Sequence, residues 1–431
     1  MQLRLHPHTS ELTDASGEPL LRDIEPYAFE AVEPVSPANP GWKSRRVHTL
    51  KIQLGMACNY SCSYCNQASH VSDASLTRTA QADDFLAALP DWLEGAPERI
   101  EFWGGEPLLY FAKLQRLAPA LRERFPAAVL SMVTNGSLLD AETIAFIERW
   151  DVHVAVSHDG PGQHLRGPDP FDDPQRAHWL RALWQLRGTA ARQRVSFNVV
   201  LTPANADIAA TRAWLAERVG DPALVLDTEG VVSVYDDTTL QGAGRWSPDD
   251  YDTLRRSIVN GFETGEALRY ISIQAKARDF IHALQRRRPL SALGQKCGMD
   301  EADRLAVDLQ GQVMTCQNTG AKGAHHLGNV RQMDEVQLNT ATHLRGRECC
   351  NHCPVVQLCK GSCMYLEGEH FAQSCENEYH YNGAILEGVI RSVTGLRLER
   401  ITGDIRRPAS RRRIPIAPAA PPAHGKGGCL P

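Results

Sequence analysis

From residue 46 onward, apolar and polar positions follow two alternating rhythms. RVHTLKIQL (46–54) alternates with period two and is rich in β-branched residues, which predicts a strand. ADDFLAALPDWLE (82–94) spaces its apolar residues three and four apart, as an amphipathic helix does. The pair then recurs. Strands are predicted at 99–103 (RIEFW), 128–134 (AVLSMVT), 153–157 (HVAVS), 195–201 (VSFNVVL) and 223–230 (ALVLDTEG). Helices are predicted at 114–125 and 141–150 and around 173–189 and 206–219. Short strands separated by single helices predict parallel pairing in βαβ units, hence an α/β fold. A partial (β/α)6 TIM-like barrel fits this repeat, and a doubly wound sheet remains open from pattern alone. Both would place chemistry in the loops after the strands.

Outside this repeat the rhythm changes. Residues 1–45 are mixed and Pro-rich, and read as an N-terminal extension or partial cap. Two further helices are predicted at 244–262 and 267–287. Beyond 290 the periodicity fades and cysteines take over, so metal coordination is expected to supply folding free energy that a thin core cannot. A helix is predicted within 377–401, and the Pro/Ala/Arg tail from 407 reads as disordered. The division expected is 1–45 extension, 46–289 barrel, 290–385 small cysteine-rich domain, and 386–431 helix and tail.

Composition narrows the class. At 42% hydrophobic and 23% charged residues, the chain is that of a folded, water-soluble protein. A net charge of −5 gives no reason to expect nucleic acid, and the basic runs QRRRP (285–289) and RRPASRRRIP (406–415) read as solvated segments. The first residues lack the apolar stretch of a signal peptide, and no apolar run is long enough to span a bilayer. A cytoplasmic location is therefore expected, where twelve cysteines favour metal ligation over disulfides.

Cys58, Cys62 and Cys65 follow the first strand in GMACNYSCSYCNQ (55–67). Three thiolates can hold three irons of a [4Fe–4S] cube and leave the fourth open. Catalytic zinc with three protein ligands is the rival, and buried structural cysteine the plainer reading. The polar surroundings and the strand-end position count against the latter. CxxxCxxC with Tyr64 before the third cysteine resembles the radical S-adenosylmethionine (SAM) enzymes. The resemblance implies that the open iron chelates the methionine moiety of SAM, and that one electron splits the sulfonium into methionine and a 5′-deoxyadenosyl radical. It also implies that Gly104-Gly105-Glu106, after the second strand, meets the cofactor's amino group. Other strand ends carry the remaining candidate cofactor contacts: Thr134, Asn135 and Gly136 after the third strand, Ser157 on the fourth and Asn198 on the fifth. Asp159 and Arg166, in HDGPGQHLR, resemble a loop of peptide-modifying members, and cap the next helix in the plainer reading. His70, His158 and His164 lie near strand ends as possible acids or bases.

The remaining spacing runs Cys297, Cys316, Cys350, Cys353, Cys359, Cys363, Cys375. It resembles the SPASM extension, which carries auxiliary iron–sulfur clusters, with a zinc-rich structural domain as the alternative. The resemblance assigns Cys350, Cys353, Cys359 and Cys375 to an outer cluster, and Cys297, Cys316 and Cys363 to an inner one. The inner set is one ligand short, with Asp300, Asp303, Cys349 or a substrate group as candidates. Cys429 reads as a tail thiol, and His325-His326 as a surface turn.

What the resemblance implies is an oxidoreductase that modifies a ribosomally made peptide by oxidative crosslinking at unactivated carbon. A formylglycine-forming, sulfatase-maturase-like activity is the alternative, with Asp227 as candidate base. A non-catalytic iron–sulfur or zinc scaffold is a third reading. The implied partners are a precursor peptide or protein, an external low-potential electron donor and a separate leader-binding protein, with no nucleic acid and no membrane.

Overall fold

A computed structural model describes residues 3–21, 27–68, 78–189, 192–339 and 342–396. His70, Cys429 and the Pro/Arg tail lie outside these residues. The six expected strands form as β1 (Thr49–Gln53), β2 (Arg99–Trp103), β3 (Val129–Thr134), β4 (Val152–Ser157), β5 (Val195–Leu201) and β6 (Leu226–Val231). Each of the first five is followed by a helix: α1 (Ala80–Trp92), α2 (Phe111–Arg124), α3 (Ala141–Arg149), α4 (Pro174–Gln185) and α5 (Ile208–Val219). The strands lie side by side in chain order, all parallel. A doubly wound sheet reverses its order at a switch point. No reversal occurs among these six strands, and the fold is a partial α/β barrel.

Alternation along the strands sets the two faces. Leu50, Ile52, Ile100, Phe102, Leu130, Met132, Val154 and Val156 are buried in one core with Phe85, Leu89, Leu114, Leu117 and Leu180 of the helices. The alternate residues Trp103, Val133 and Ser157 face the barrel interior and line a cavity.

The sheet continues past the barrel. β7 (Arg304–Asp308) pairs parallel to β1, and β8 (Gln312–Met314) and β9 (His326–Asn329) follow antiparallel. This carries the cysteine-rich region alongside the first strand. Two helices, α6 (Pro248–Thr264) and α7 (Ile271–Arg286), lead into it, and α8 (Gly368–Thr394) packs back on both. α8 begins nearer the N-terminus than its sequence predicts and runs unbroken past residue 385, where sequence alone places a boundary. Its buried positions include Ser374, Asn377, Glu378 and Asn382, which bond to partners instead of packing, so apolar periodicity does not reveal them.

The N-terminal segment is a clasp. Gly41–Trp42 pairs antiparallel with Gln337–Leu338, and Gln357 donates to the Pro7 carbonyl. Buried Lys43 donates to the carbonyls of Met299 (2.6 Å), Glu301 (2.8 Å) and Arg304 (3.0 Å), shaping the loop after Cys297. Burial pulls its ammonium down to about 8. Lys43→Met leaves those carbonyls without a donor, at a cost of about 1–3 kcal/mol. The expected result is a lower melting temperature and less iron at the inner cysteines, with iron at Cys58, Cys62 and Cys65 retained. An unchanged melting temperature would count against the clasp.

Candidate functional site

The loop after β1 is built to present thiols. Gly105 N donates to Gly55 O (3.1 Å) and Glu106 N to Ala57 O (2.9 Å), tying the ends of β1 and β2 together. A Cβ on Gly104 would sit 2.3 Å from Gly55 O, and one on Gly105 would sit 2.2 Å from Ala57 O. Both obstacles are backbone, so the segment leading into Cys58 would have to move. Tyr110 Oη accepts from Ala57 N (2.7 Å), and Lys113 Nζ donates to Leu54 O (2.7 Å), fixing the same turn from below. Gly105→Ala is expected to displace Cys58 and strip the iron bound there while the C-terminal cysteines keep theirs. Iron analysis with electron paramagnetic resonance (EPR) reads this, and full loading of all sites would contradict it.

Glu106 is 1% exposed. Its Oε1 accepts from Leu108 N (3.0 Å) and Thr134 Oγ1 (2.7 Å), and its Oε2 from Asn135 N (2.8 Å). Burial raises its carboxyl above the usual glutamate range, and these donors oppose that. A carboxylate offers about four acceptor sites, so three are used within the chain. Asn135 Nδ2 reaches Asn59 Oδ1 (2.9 Å), beside Cys58, and Asn59 Nδ2 reaches Ser137 Oγ (2.8 Å). The β3 end and the cysteine loop thus form one polar lattice.

A second buried group stands across from it. Tyr64 Oη donates to Asp159 Oδ2, and Arg166 Nη1 donates to Tyr64 Oη (2.9 Å). Val200 N donates to Asp159 Oδ1 (2.9 Å). Arg166 Nε is buried with no protein acceptor. The DG…R loop therefore aims a guanidinium at the cavity instead of capping a helix. His158 packs against Phe171 and Trp214 and bonds Asp169 (3.0 Å), away from the cavity, and His164 lies near Pro161 O.

One cavity of about 450 Å³ collects most of the expected residues. Cys58, Cys62, Cys65, Tyr64, Gly104, Gly105, Glu106, Thr134, Asn135, Ser157 and Arg166 line it, and so do Cys297, Cys316 and Cys363. Cys350, Cys353, Cys359 and Cys375 surround a separate small pocket. The ten thiols thus divide six and four. None of the three fourth-ligand candidates, Asp300, Asp303 and Cys349, lines the cavity. Asp300 instead takes Gln295 N (3.0 Å) and faces His343.

Burial pushes Cys62 up to about 11 and Cys316 up to about 12, so metal loading here must release protons. Among the described residues no three His, Cys, Asp or Glu side chains converge as ligands of one ion. A zinc ion draws its sulfurs to ~2.3 Å from a single point, and a cube spreads its thiolates over separate irons; thiol-only sets are ligand sets for either.

Two candidates sit differently from expectation. Asp227 does not line the cavity, and its Oδ1 accepts from Ser272 Oγ and Thr228 N. Asn198 does not line it either, and donates to Glu229 Oε1 (3.1 Å). Glu229 does line it. It is placed by a β-bulge, where Val199 pairs with Thr228 but Val200 pairs with Gly230, leaving Glu229 as the extra residue. Bulges at barrel rims re-aim side chains in this way. The available signal was Gly230, a glycine inside a strand pattern. Lys296 also lines the cavity and is ion-paired to buried Glu378.

Residues 52–189 match the family model described as the Radical SAM superfamily. The radical SAM cyclopropyl synthase TigE of Paramaledivibacter caminithermalis is 24% identical over 172 residues, covering 36% of this chain and 36% of that one. A probable GTP 3′,8-cyclase of Methanocella arvoryzae is 33% identical over 120 residues, covering 27% and 35%. The match thus spans about a third of the length of these curated relatives. Among solved structures, native anSMEcpe with bound AdoMet aligns at a TM-score of 0.57 and 18% identity, over 80% of this chain and 100% of that one. The same protein with AdoMet and Kp18Cys peptide aligns at 0.57 and 18%, over 81% and 100%. At this identity the likeness is one of fold. No helix among the described residues is long and apolar enough to cross a membrane.

Proposed function

We propose that this chain, a radical SAM domain followed by a SPASM-like cysteine-rich region, is an enzyme that oxidatively modifies a peptide at an unactivated carbon. The observation that carries this is the single cavity shared by Cys58, Cys62 and Cys65 with Cys297, Cys316 and Cys363. Cys58, Cys62 and Cys65 would hold a [4Fe–4S] cluster with one open iron. Cys297, Cys316 and Cys363 would hold an inner auxiliary cluster, and Cys350, Cys353, Cys359 and Cys375 an outer one. With SAM bound, these groups supply a 5′-deoxyadenosyl radical and a route for electrons.

The protein's own residues do the positioning. Gly104 and Gly105 let the backbone approach the cofactor's methionine end, and the remaining acceptor site on Glu106 suits an ammonium. Arg166 offers a buried guanidinium to a carboxylate, and Asn135 and Ser157 line the same wall. Tyr64 holds Arg166 in place. Asn198 orients Glu229, which is the cavity's candidate proton acceptor for a substrate that loses hydrogen. An external low-potential donor, a ribosomal precursor peptide and a separate leader-binding protein complete the reading.

Anaerobic reconstitution with iron, sulfide, SAM and dithionite tests it. Formation of 5′-deoxyadenosine and methionine is expected, and none with iron fully loaded would contradict the enzyme. A second reading is the formylglycine-forming alternative, oxidation of a side chain to an aldehyde; the fold shared with anSMEcpe, whose structures include Cp18Cys and Kp18Cys peptides, supports a peptide as substrate in either reading. A product that reacts with hydrazide reagents favours it, and a crosslinked product that does not favours the first reading.

A further inference from the structure

Arg347 immediately precedes the short helix Glu348–Asn351, which carries Cys350. The residue is 2% exposed. Its Nη2 donates to the carbonyls of Leu366 (2.8 Å), Met364 (3.4 Å) and Cys363 (3.5 Å). Its Cζ lies 3.8 Å from the ring centroid of Phe371, in the first turn of α8. Its Nε is buried with no acceptor. Among the described residues, no carboxylate pairs with it. Arg166, Arg212 and Arg288, whose side chains are each 12% exposed, all have one: Asp159 (3.7 Å), Glu266 (2.5 Å) and Asp279 (2.7 Å).

A guanidinium does not shed its proton to escape burial. A buried charge without a counter-ion is costly, and three carbonyls and a ring face offset only part of that cost. The surroundings show where an anion would sit. Phe371 lines the small pocket enclosed by Cys350, Cys353, Cys359 and Cys375, together with Val355 and Val356. Arg347 O accepts from Cys350 N (3.0 Å), so one turn holds both the arginine and that cysteine. Burial pulls the guanidinium below the usual arginine range, and Cys350, Cys363 and Cys375 oppose this more strongly than Glu367 does. Protonated thiols would leave the arginine without an anion. Four thiolates around a [4Fe–4S] core are anionic, and reduction adds one more negative charge.

We propose that Arg347 is the counter-cation of the outer iron–sulfur site, balancing the thiolates of Cys350, Cys353, Cys359 and Cys375 and holding that cluster's potential above the value it would have without a cation. This rests on the cluster reading above and goes beyond it by naming the positioning residue that makes the outer site easier to reduce. Net charge and solvent exposure are among the factors that set an iron–sulfur potential. The apolar walls of Val355, Val356 and Phe371 keep water from the pocket, so the charge acts with little screening. A fixed cation stabilises the reduced, more negative cluster over the oxidised one, which sets the sign of the effect.

The test uses the full chain with Cys58, Cys62 and Cys65 replaced by alanine, so that only auxiliary signals remain, followed by redox titration with EPR. Arg347→Gln keeps a donor for the carbonyls and loses the charge. It is expected to move one midpoint to more negative potential and leave the other as internal reference. The signal that moves should be the one lost when Cys353 and Cys359 are replaced by alanine. Arg347→Lys keeps the charge and should stay near the parent midpoint. A role confined to tethering the carbonyls of Cys363, Met364 and Leu366 would alter iron content or melting temperature without separating Gln from Lys in potential. That result overturns the proposal, and so does a shift confined to the inner signal. Should Arg347→Gln fail to hold the outer iron, retention in Arg347→Lys supports the charge, and loss in both variants overturns it. A parent protein with zinc in the outer site, or with a single auxiliary signal, overturns the outer-cluster reading itself, which separates the two failures.

Discussion

Replacing Cys58, Cys62 and Cys65 together with alanine abolishes 5′-deoxyadenosine formation and removes roughly a third of the iron, one cube of three. The auxiliary clusters persist, because their cysteines come from other elements. Cys297 and Cys316 lie in the segments flanking β7 and β8, and Cys350, Cys353 and Cys359 lie in the connection before α8. The lattice of Asn59, Glu106, Asn135 and Ser137 is built from other side chains and also survives, so the barrel stays folded. Iron analysis and EPR on the reconstituted variant check both halves. Deoxyadenosine release at the parent rate would mean that the chemistry happens elsewhere, and a collapse of all three clusters would mean that the sites are not separable.

Glu229→Gln is expected to lower product formation by about 10²–10⁴-fold, the usual worth of a placed acid–base group. Deoxyadenosine release should continue, since Gln preserves the shape of the site and the first cluster is untouched. Its pH dependence follows from the surroundings. Glu229 is exposed on the cavity wall, and the protein packed around it desolvates its carboxyl enough to raise it above the usual glutamate range, with the charges of Arg166 and Lys296 pulling it down and Asp159 pushing it up. A base must be ionised to accept a proton. Product formation should therefore fall as pH drops through this raised value, on a limb displaced to higher pH than a free glutamate would give. Glu229→Gln should lack that limb. Chromatography of product and deoxyadenosine across pH separates the two, and a parent-like limb in Glu229→Gln would assign it to another group.

Local features were legible in the sequence. CxxxCxxC reads as a cluster site because its ligands lie within eight residues, and the strand–helix repeat reads as parallel βαβ units because each unit carries its own periodicity, while the choice between a barrel and a doubly wound sheet needed the strand order. Gly104 and Gly105 are recognisable as a motif, but their physical reason is tertiary: the backbone of Gly55 and Ala57 occupies the space that a Cβ would need. Asp227 and Glu229 share one face by period-two counting, and only the bulge at Gly230 decides that Glu229 lines the cavity. The start of α8 was hidden by polar buried residues, because Ser374 and Asn377 satisfy partners on the loop before α6. The division of the cysteines into six and four is the one that the SPASM resemblance implies, yet the sharing of one cavity by the first and inner sets depends on β7 pairing with β1, which no local pattern announces.

The central claim is that the iron not held by Cys58, Cys62 or Cys65 is open to SAM. Electron–nuclear double resonance on the reduced protein, with SAM labelled with ¹⁵N at the methionine amino group and ¹⁷O at its carboxylate, tests this most directly. The account predicts hyperfine coupling of both labels to the N-terminal cluster, lost when those three cysteines are replaced. Uncoupled labels, with a fourth protein side chain on that iron or zinc in its place, would contradict it.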